Sequence, residues 1–309
     1  MISIDFLTEF EKRIKKEKIT SCLIHHGDSL VFQYYKNNKM KDKQHKVNSV
    51  TKSVLSILVG IAIDRGELAG IGQSIAEFCP NLDDWQKNIT IENLLTMTPG
   101  YDWPEFSSWG GRPMPMINTK DWIHFILSRP FSGPPGRKMY YNSGCSHLLS
   151  AILQKAAGKS LTKYAEEHLF KPLGIEDYTW YSDAKGVVIG GFGLSMKAAD
   201  MMKIGQLMLW EGKWYDNREM VVSETWVKES TTIRFHTYDK IGSYGYHWWI
   251  LTEEQNHPAQ PAAYFAMGYG GQYIIVVPEH QHITTFSSEL YTDTFKPMQY
   301  FKKYIWCHL

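Results

Sequence analysis

The longest nearly apolar run in this chain of 309 residues is Val54–Ile63. It is too short to span a bilayer, and it reads as the body of a buried helix ending near Gly66. It follows directly on Asn48-Ser49-Val50-Thr51-Lys52-Ser53. A serine and a lysine therefore sit three residues apart at its head. On a helix they share a face, about one turn from each other. Ser49 falls at the N-terminus, where free backbone N–H groups and the dipole favour developing negative charge. Lys52 is drawn toward the apolar interior. Burial there disfavours the ammonium and lowers its pKa, so the neutral amine can take a proton from the serine. The pattern predicts an acyl-transfer nucleophile with its base built in. The competing reading makes Ser49 a plain N-cap and Lys52 a solvated first-turn residue.

Spacing alone does not choose between them, because roughly two S-x-x-K matches arise by chance in a chain this rich in Ser and Lys. Two other matches are present. Ser160-Leu161-Thr162-Lys163 reads as an N-cap opening an amphipathic helix, and Ser182-Asp183-Ala184-Lys185, before Gly186, reads as a turn. Of the three, the match at Ser49 opens a buried-looking helix.

Length suits one large domain, residues 1–309, or two intimate subdomains, with ample core. A net charge of +1 gives no field that calls for nucleic acid. The basic stretches Lys12–Lys18 and Lys36–Lys46 read as solvated faces. Cys22, Cys79, Cys145 and Cys307 are far apart with no C-x-x-C, which argues against a metal cluster and a disulfide framework. Asp5, Glu9 and Glu11 stand where a signal peptide needs an apolar core. The expectation is a soluble, cytoplasmic, reduced protein that needs no metal and no cofactor, of unassigned oligomeric state.

In chain order, Phe6, Leu7, Phe10 and Ile14 give an amphipathic helix over 3–17. Thr20–His26 and Leu30–Tyr35 flank Gly27-Asp28-Ser29 as strand, turn and strand. From about 67 to 232 the pattern is mostly helical, with helices at Ile91–Met97, Thr119–Leu127, Asn142–Ala157, Leu161–Leu169 and Met196–Trp210. Between them Gly100–Asn118 is a long loop rich in Gly, Pro, Ser and aromatics, holding Tyr101, Trp103, Phe106 and Trp109. Loops of that length are often binding loops or lids. After Ile233 strands return: Ser243–Leu251, Ala262–Met267, Gln272–Val277 and His282–Ser287, then a closing helix over Tyr291–His308. The fold class is α+β, an antiparallel sheet built from both termini (about 1–66 and 233–309), flanked by helices, with a mostly helical insert (about 67–232).

Met139-Tyr140-Tyr141-Asn142-Ser143-Gly144, ahead of a helix, resembles the Y-x-N element of the serine β-lactamase and penicillin-binding protein superfamily, whose families also carry S-x-x-K. Ile91–Gly100 and Gly191–Met196 look like further blocks of the superfamily. Gly268-Tyr269-Gly270-Gly271-Gln272 falls where its K-T-G strand belongs. These pieces span nearly the whole chain in order. They are most similar to the branch of class C-type β-lactamases, carboxylesterases and 6-aminohexanoate-dimer hydrolases. The resemblance implies a β-lactamase/transpeptidase-like fold and roles for individual residues. Ser49 is the nucleophile, Lys52 its base partner, and Tyr140 the proton shuttle to the leaving group or incoming water. Asn142 orients Lys52 or the substrate carbonyl, and the backbone N–H groups of Ser49 and Tyr269 form the oxyanion hole. Gly268, Tyr101 and Trp103 are added as substrate-binding candidates. Tyr141 is assigned no role. A core aromatic at Tyr140 and a helix cap at Asn142 are the alternatives.

The chain departs from the pattern at Ala266, where the family has a lysine that helps hold a substrate carboxylate. That departure speaks against β-lactams and peptidoglycan and for neutral esters or amides. If carboxylates are bound nonetheless, Arg112 or Arg137 from the flanking loops is the anchor. The chain has no G-x-S-x-G elbow, no H-E-x-x-H, and no upstream Gly to make Gly158-Lys159-Ser160 a P-loop. The leading expectation is a serine hydrolase acting through an acyl-enzyme on small esters or amides, with no nucleic-acid or membrane partner. A β-lactamase or D-peptidase-type hydrolase, an acyltransferase, and a penicillin-binding-like module without turnover are the alternatives.

Overall fold

In a computed structural model that describes residues 4–214, 219–238, 241–251 and 263–309, the chain opens with helix α1 (Ile4–Ile14) and the hairpin of β1 (Ile19–His26) and β2 (Ser29–Tyr35). Then come α2 (Lys39–Asp42), β3 (His45–Lys46) and α3 (Val50–Asp64). The loop-rich block holds α4 (Ile91–Leu95), α5 (Met114–Ile117), α6 (Trp122–Leu127), α7 (Ser143–Ala157) and α8 (Leu161–Ala165). It continues through β4 (Tyr178–Trp180), β5 (Leu194–Met196), α9 (Ala198–Leu209) and α10 (Glu224–Ser230). The C-terminal part supplies β6 (Phe235–Tyr238), β7 (Gly242–Tyr244), β8 (Trp249–Leu251), β9 (Ala263–Gly268), β10 (Gln272–Val277), β11 (His282–Ser288) and α11 (Lys296–Tyr304).

The main sheet runs β2-β1-β11-β10-β9-β8-β7-β6, and its neighbours are antiparallel. Ile24 lies opposite Thr284 and His26 opposite His282, so the first strand of the chain pairs with the last. Both faces of this sheet are covered. Tyr273, Ile275 and Val277 of β10 join the cluster that contains Phe10 and Ile14 of α1 and Met298 and Phe301 of α11. Ile274 and Val276 join the cluster of α3 and α9. A strand covered on both sides needs apolar residues at every position, not at alternate ones, which is why β9 and β10 are nearly continuous apolar runs.

Helix α3 lies at the centre: Val50 through Ala62 are all buried. A helix with no polar face has no side to give to water. It packs against β9, β10, α7 and α10.

Several elements differ from the sequence expectation. Ser243–Leu251 is not one strand but the hairpin of β7 and β8. Gly245 N–H donates to Trp248 O, and His247 takes a left-handed φ of 60°. The edge strand β6 was not anticipated. The closing helix begins at Lys296, with Pro297 in its first turn, where a proline loses no helical hydrogen bond. The helical block also contributes β4 and β5, which join β3 in a separate small sheet. Ala262, the expected start of a strand, lies outside the described residues. Among the described residues no helix is long and apolar enough to cross a membrane.

Candidate active site

Asn48 enters α3 with a left-handed φ of 48°, and its side-chain amide donates to Tyr269 O at 2.6 Å. That kink delivers Ser49 to the head of the helix. Ser49 stands at the N-cap, yet its side chain makes no capping bond. Its Oγ instead meets Lys52 Nζ at 3.0 Å.

Lys52 is 1% exposed, not a solvated first-turn residue. Its Nζ also meets Gly191 O at 2.7 Å and Ser143 Oγ at 3.1 Å. Three partners fill the tetrahedral nitrogen. Burial lowers its pKa to about 8, against the opposing field of Glu105. A neutral amine keeps two N–H donors and one lone pair. Gly191 O can only accept. Ser143 Oγ gives its own hydrogen to Glu105 Oε1 at 2.7 Å, so it too accepts from Lys52. The lone pair is thereby left for Ser49. Gly191 suits this close approach, since a Cβ there would lie 3.0 Å from Ser143 O and 3.4 Å from Lys52 Nζ.

The tyrosine beside Ser49 is Tyr141, not Tyr140. Tyr141 is buried, and of the two tyrosines it is the one whose pKa the Ser49 side chain lowers, against burial. Lys52 Nζ sits 4.9 Å from its ring centroid. Burial and the charge of Glu105 push its pKa far up, so it stays a neutral donor. Tyr140 is 39% exposed and faces outward under Lys138. The physical reason is phase: just before α7 the backbone is extended, so adjacent side chains point opposite ways.

The same one-residue slip moves the next role. Asn142 is the N-cap of α7, its Oδ1 accepting from Cys145 N–H at 3.1 Å. An oxygen bound to the helix end is not available to orient Lys52. Ser143, the first residue of α7, makes that contact instead.

Glu105 was missed at the sequence level. It lies in the Gly100–Asn118 loop and is 2% exposed. Its Oε2 accepts from Ser143 N–H at 2.7 Å and from the Trp103 indole at 2.8 Å. Trp103 is thus a buried support for Glu105, and it forms part of the wall of a cavity shared with Tyr141. Tyr101 is not at the site. It packs edge-on to Trp85, its hydroxyl accepts from Gln86 Nε2 at 3.2 Å, and it lines a cavity that Ser49 does not reach. A lone Glu between Pro104 and Phe106 carries no signal of this contact.

Gly268 ends β9 against the head of α3. A Cβ there would stand 2.2 Å from Val47 O and 3.2 Å from Ser49 N, so only glycine lets the strand approach this closely. Tyr269 follows. Among the described residues neither Ser49 N–H nor Tyr269 N–H donates to another group. Ala266 is fully buried in the apolar cluster around α3. Ser49 opens into a recess of 310 Å³ whose walls include Glu105, Arg112, Ser143, Phe192 and Tyr269. No group of His, Cys, Asp and Glu among the described residues is arranged to hold a metal ion.

The chain is 24% identical over 274 residues to the 6-aminohexanoate-dimer hydrolase of Paenarthrobacter ureafaciens, a match covering 81% of this chain and 69% of that one. It is 26% identical over 151 residues to esterase EstB of Burkholderia gladioli, covering 44% of this chain and 38% of the esterase. A penicillin-binding protein from Bacillus halodurans shares the fold, with a TM-score of 0.73 at 18% identity over 94% of this chain and 99% of that one. The sequence profile of the beta-lactamase family matches residues 18–297, and on that match the chain belongs to the beta-lactamase family and, with it, to the hydrolases.

Proposed function

We propose that this protein is a serine hydrolase that cleaves small esters or amides through an acyl-enzyme on Ser49. One observation carries the reading: Lys52 Nζ lies 3.0 Å from Ser49 Oγ with its other two positions already bonded to Gly191 O and Ser143 Oγ. A base with a pKa of about 8 is matched to proton transfer near neutral pH. Lys52 takes the Ser49 hydroxyl proton as Oγ bonds to the substrate carbonyl carbon. The oxyanion is held by the N–H groups of Ser49 and Tyr269, two donors that need no rearrangement.

Collapse breaks the bond to the leaving oxygen or nitrogen. Tyr141 donates its phenolic proton to that atom, and Lys52 restores the phenol. In the second half a water gives its proton to Lys52 and adds to the acyl carbon, and Ser49 departs with the proton returned. The pKa values of Lys52 and Tyr141 are pushed in opposite directions, down for one and up for the other. That divergence supports Lys52 as the base and Tyr141 as the acid. The names of the relatives, a 6-aminohexanoate-dimer hydrolase and an esterase, favour the same substrate class.

The test is intact-protein mass spectrometry after a fluorophosphonate, with ester turnover measured beside it. Wild type gains one adduct, on Ser49. Ser49→Ala loses both adduct and turnover while its circular dichroism is unchanged. An adduct on another serine in the Ala variant overturns the reading.

A further inference from the structure

Two cavities near the site differ in chemistry: one is lined by Tyr141 and the other by Ser49 itself. Tyr141 lines one of them, with Phe106, Trp103, Tyr140 and Tyr238. The Phe106 ring stacks on Tyr141 at 4.4 Å and 6°. In the mechanism proposed above Tyr141 protonates the departing atom, which puts the leaving group on the Tyr141 side of Ser49, toward this aromatic cavity. The acyl chain must then extend the other way, into the recess lined by Ser49 and Ser143.

That recess is cationic. Lys46 and Arg112 line it, and neither has a carboxylate within ion-pair range among the described residues. Arg13, Arg65, Arg129 and Arg234 each have one, while Arg137, also without one among the described residues, lines a different cavity. Arg112 instead lies over the Tyr269 ring, 5.2 Å from its centroid, with a 3.4 Å contact to the hydroxyl. Tyr269 is the residue whose N–H would hold the oxyanion, and Arg112 and Ser49 line the same recess. The acid in the recess, Glu105, has both oxygens committed to Ser143 and Trp103. Beyond its contact to the Tyr269 hydroxyl the Arg112 guanidinium keeps further N–H donors, and such a fork binds a carboxylate through two parallel N–H···O bonds.

We propose that the acyl group of the substrate carries a carboxylate held by Arg112, so that the enzyme acts on monoesters or monoamides of dicarboxylic acids with an apolar or aromatic leaving group. The proposal rests on Ser49 being the nucleophile. Ala266 leaves the family's cation position empty, and Arg112 supplies a cation on the acyl side instead.

The test compares three esters of similar size: the mono(4-nitrophenyl) ester of adipic acid, the same compound with its carboxylate capped as a methyl ester, and 4-carboxyphenyl hexanoate, whose charge is on the leaving group. In wild type, kcat/KM for the free acid exceeds that for the capped ester by about tenfold, the low end for a charge-assisted hydrogen bond. Arg112→Ala brings the ratio to about one, and Arg112→Glu inverts it. Arg137→Ala leaves it unchanged. A ratio at or below one in wild type overturns the proposal, and so does a ratio that Arg112→Ala does not move. A preference for 4-carboxyphenyl hexanoate overturns it too. Fluorophosphonate labelling of the same preparations separates the two claims: an adduct on Ser49 without the charge preference removes only the acyl-side assignment. If no ester turns over, the rates at which they acylate Ser49, read by mass, give the same ratio. Failure of all three to acylate it overturns both.

Discussion

Removing the charge of Glu105 has two separable consequences. Ser143 Oγ lies 3.1 Å from Lys52 Nζ and 2.7 Å from Glu105 Oε1, so ammonium and carboxylate are at most about 5.8 Å apart. At that separation two unit charges attract by about 3 kcal/mol at an effective dielectric of 20, and by about 0.7 kcal/mol at that of water. One pKa unit corresponds to about 1.4 kcal/mol. Glu105 therefore holds the Lys52 pKa up by about half a unit to two units, in the direction opposite to burial. Glu105→Gln keeps the shape and deletes the charge, and the acidic limb of the kcat/KM profile moves to lower pH by that amount.

The amide also reverses a hydrogen bond. Its oxygen must stay on the Ser143 and Trp103 N–H groups, so its NH₂ meets Ser143 Oγ. The Ser143 hydroxyl then turns its hydrogen toward Lys52 and competes with Ser49 for the lone pair. The plateau rate falls by about 10²-fold, the lower end for loss of an aligned general base. The variant is thus slower but active at lower pH. The assay is kcat/KM for a neutral phenyl ester by pH-stat across the neutral range. An acidic limb that stays at the wild-type midpoint, or moves up, refutes the charge argument. An undiminished plateau refutes the orientation argument.

Two adjacent tyrosines separate by the same assay: Tyr141→Phe lowers kcat by about 10²–10⁴-fold, while Tyr140→Phe stays within a few-fold of wild type, and the reverse order would return the role to Tyr140. Acid should destabilise the fold through its buried histidines. Burial lowers the pKa of His247 and of His282 to about 3, with a buried ring nitrogen unpaired in each. Above about 6.5 both states are neutral and their contribution is fully present; as pH falls below that, the unfolded chain takes up protons that the native state refuses. By pH 5 the loss is about 2 kcal/mol for each histidine, read as a lower urea midpoint than at pH 7.5. Equal unfolding free energies at the two pH values would show that these imidazoles charge freely in the native state.

Much of the architecture was legible because it is local or periodic. An apolar run with no polar side dictates a buried helix, and an S-x-x-K at its head places Ser49 and Lys52 one turn apart in any fold that keeps the helix. Continuous apolar strands at one end of the chain and a hairpin at the other point to a sheet covered on both faces. The two-strand break at His247 and the late start of α11 were harder to read, because a single left-handed residue and a first-turn proline decide them.

The partners of Lys52 come from far along the chain, and there local pattern stops helping. Tyr140 and Tyr141 are the same residue type at adjacent positions, and the docking of an extended segment on α3 chooses which one faces Ser49. Asn142 has the better capping chemistry, so the helix end claims it and leaves Ser143 to meet the amine. Glu105 has no neighbour in sequence that marks it as buried; it acquires its role because the loop folds inward and Trp103 and Ser143 offer it three donors. Arg112 is one unremarked cation until the same loop lays it over Tyr269. A helix fixes what stands three residues away through its own hydrogen bonds, whereas contacts across fifty or more residues depend on how the packed surfaces meet.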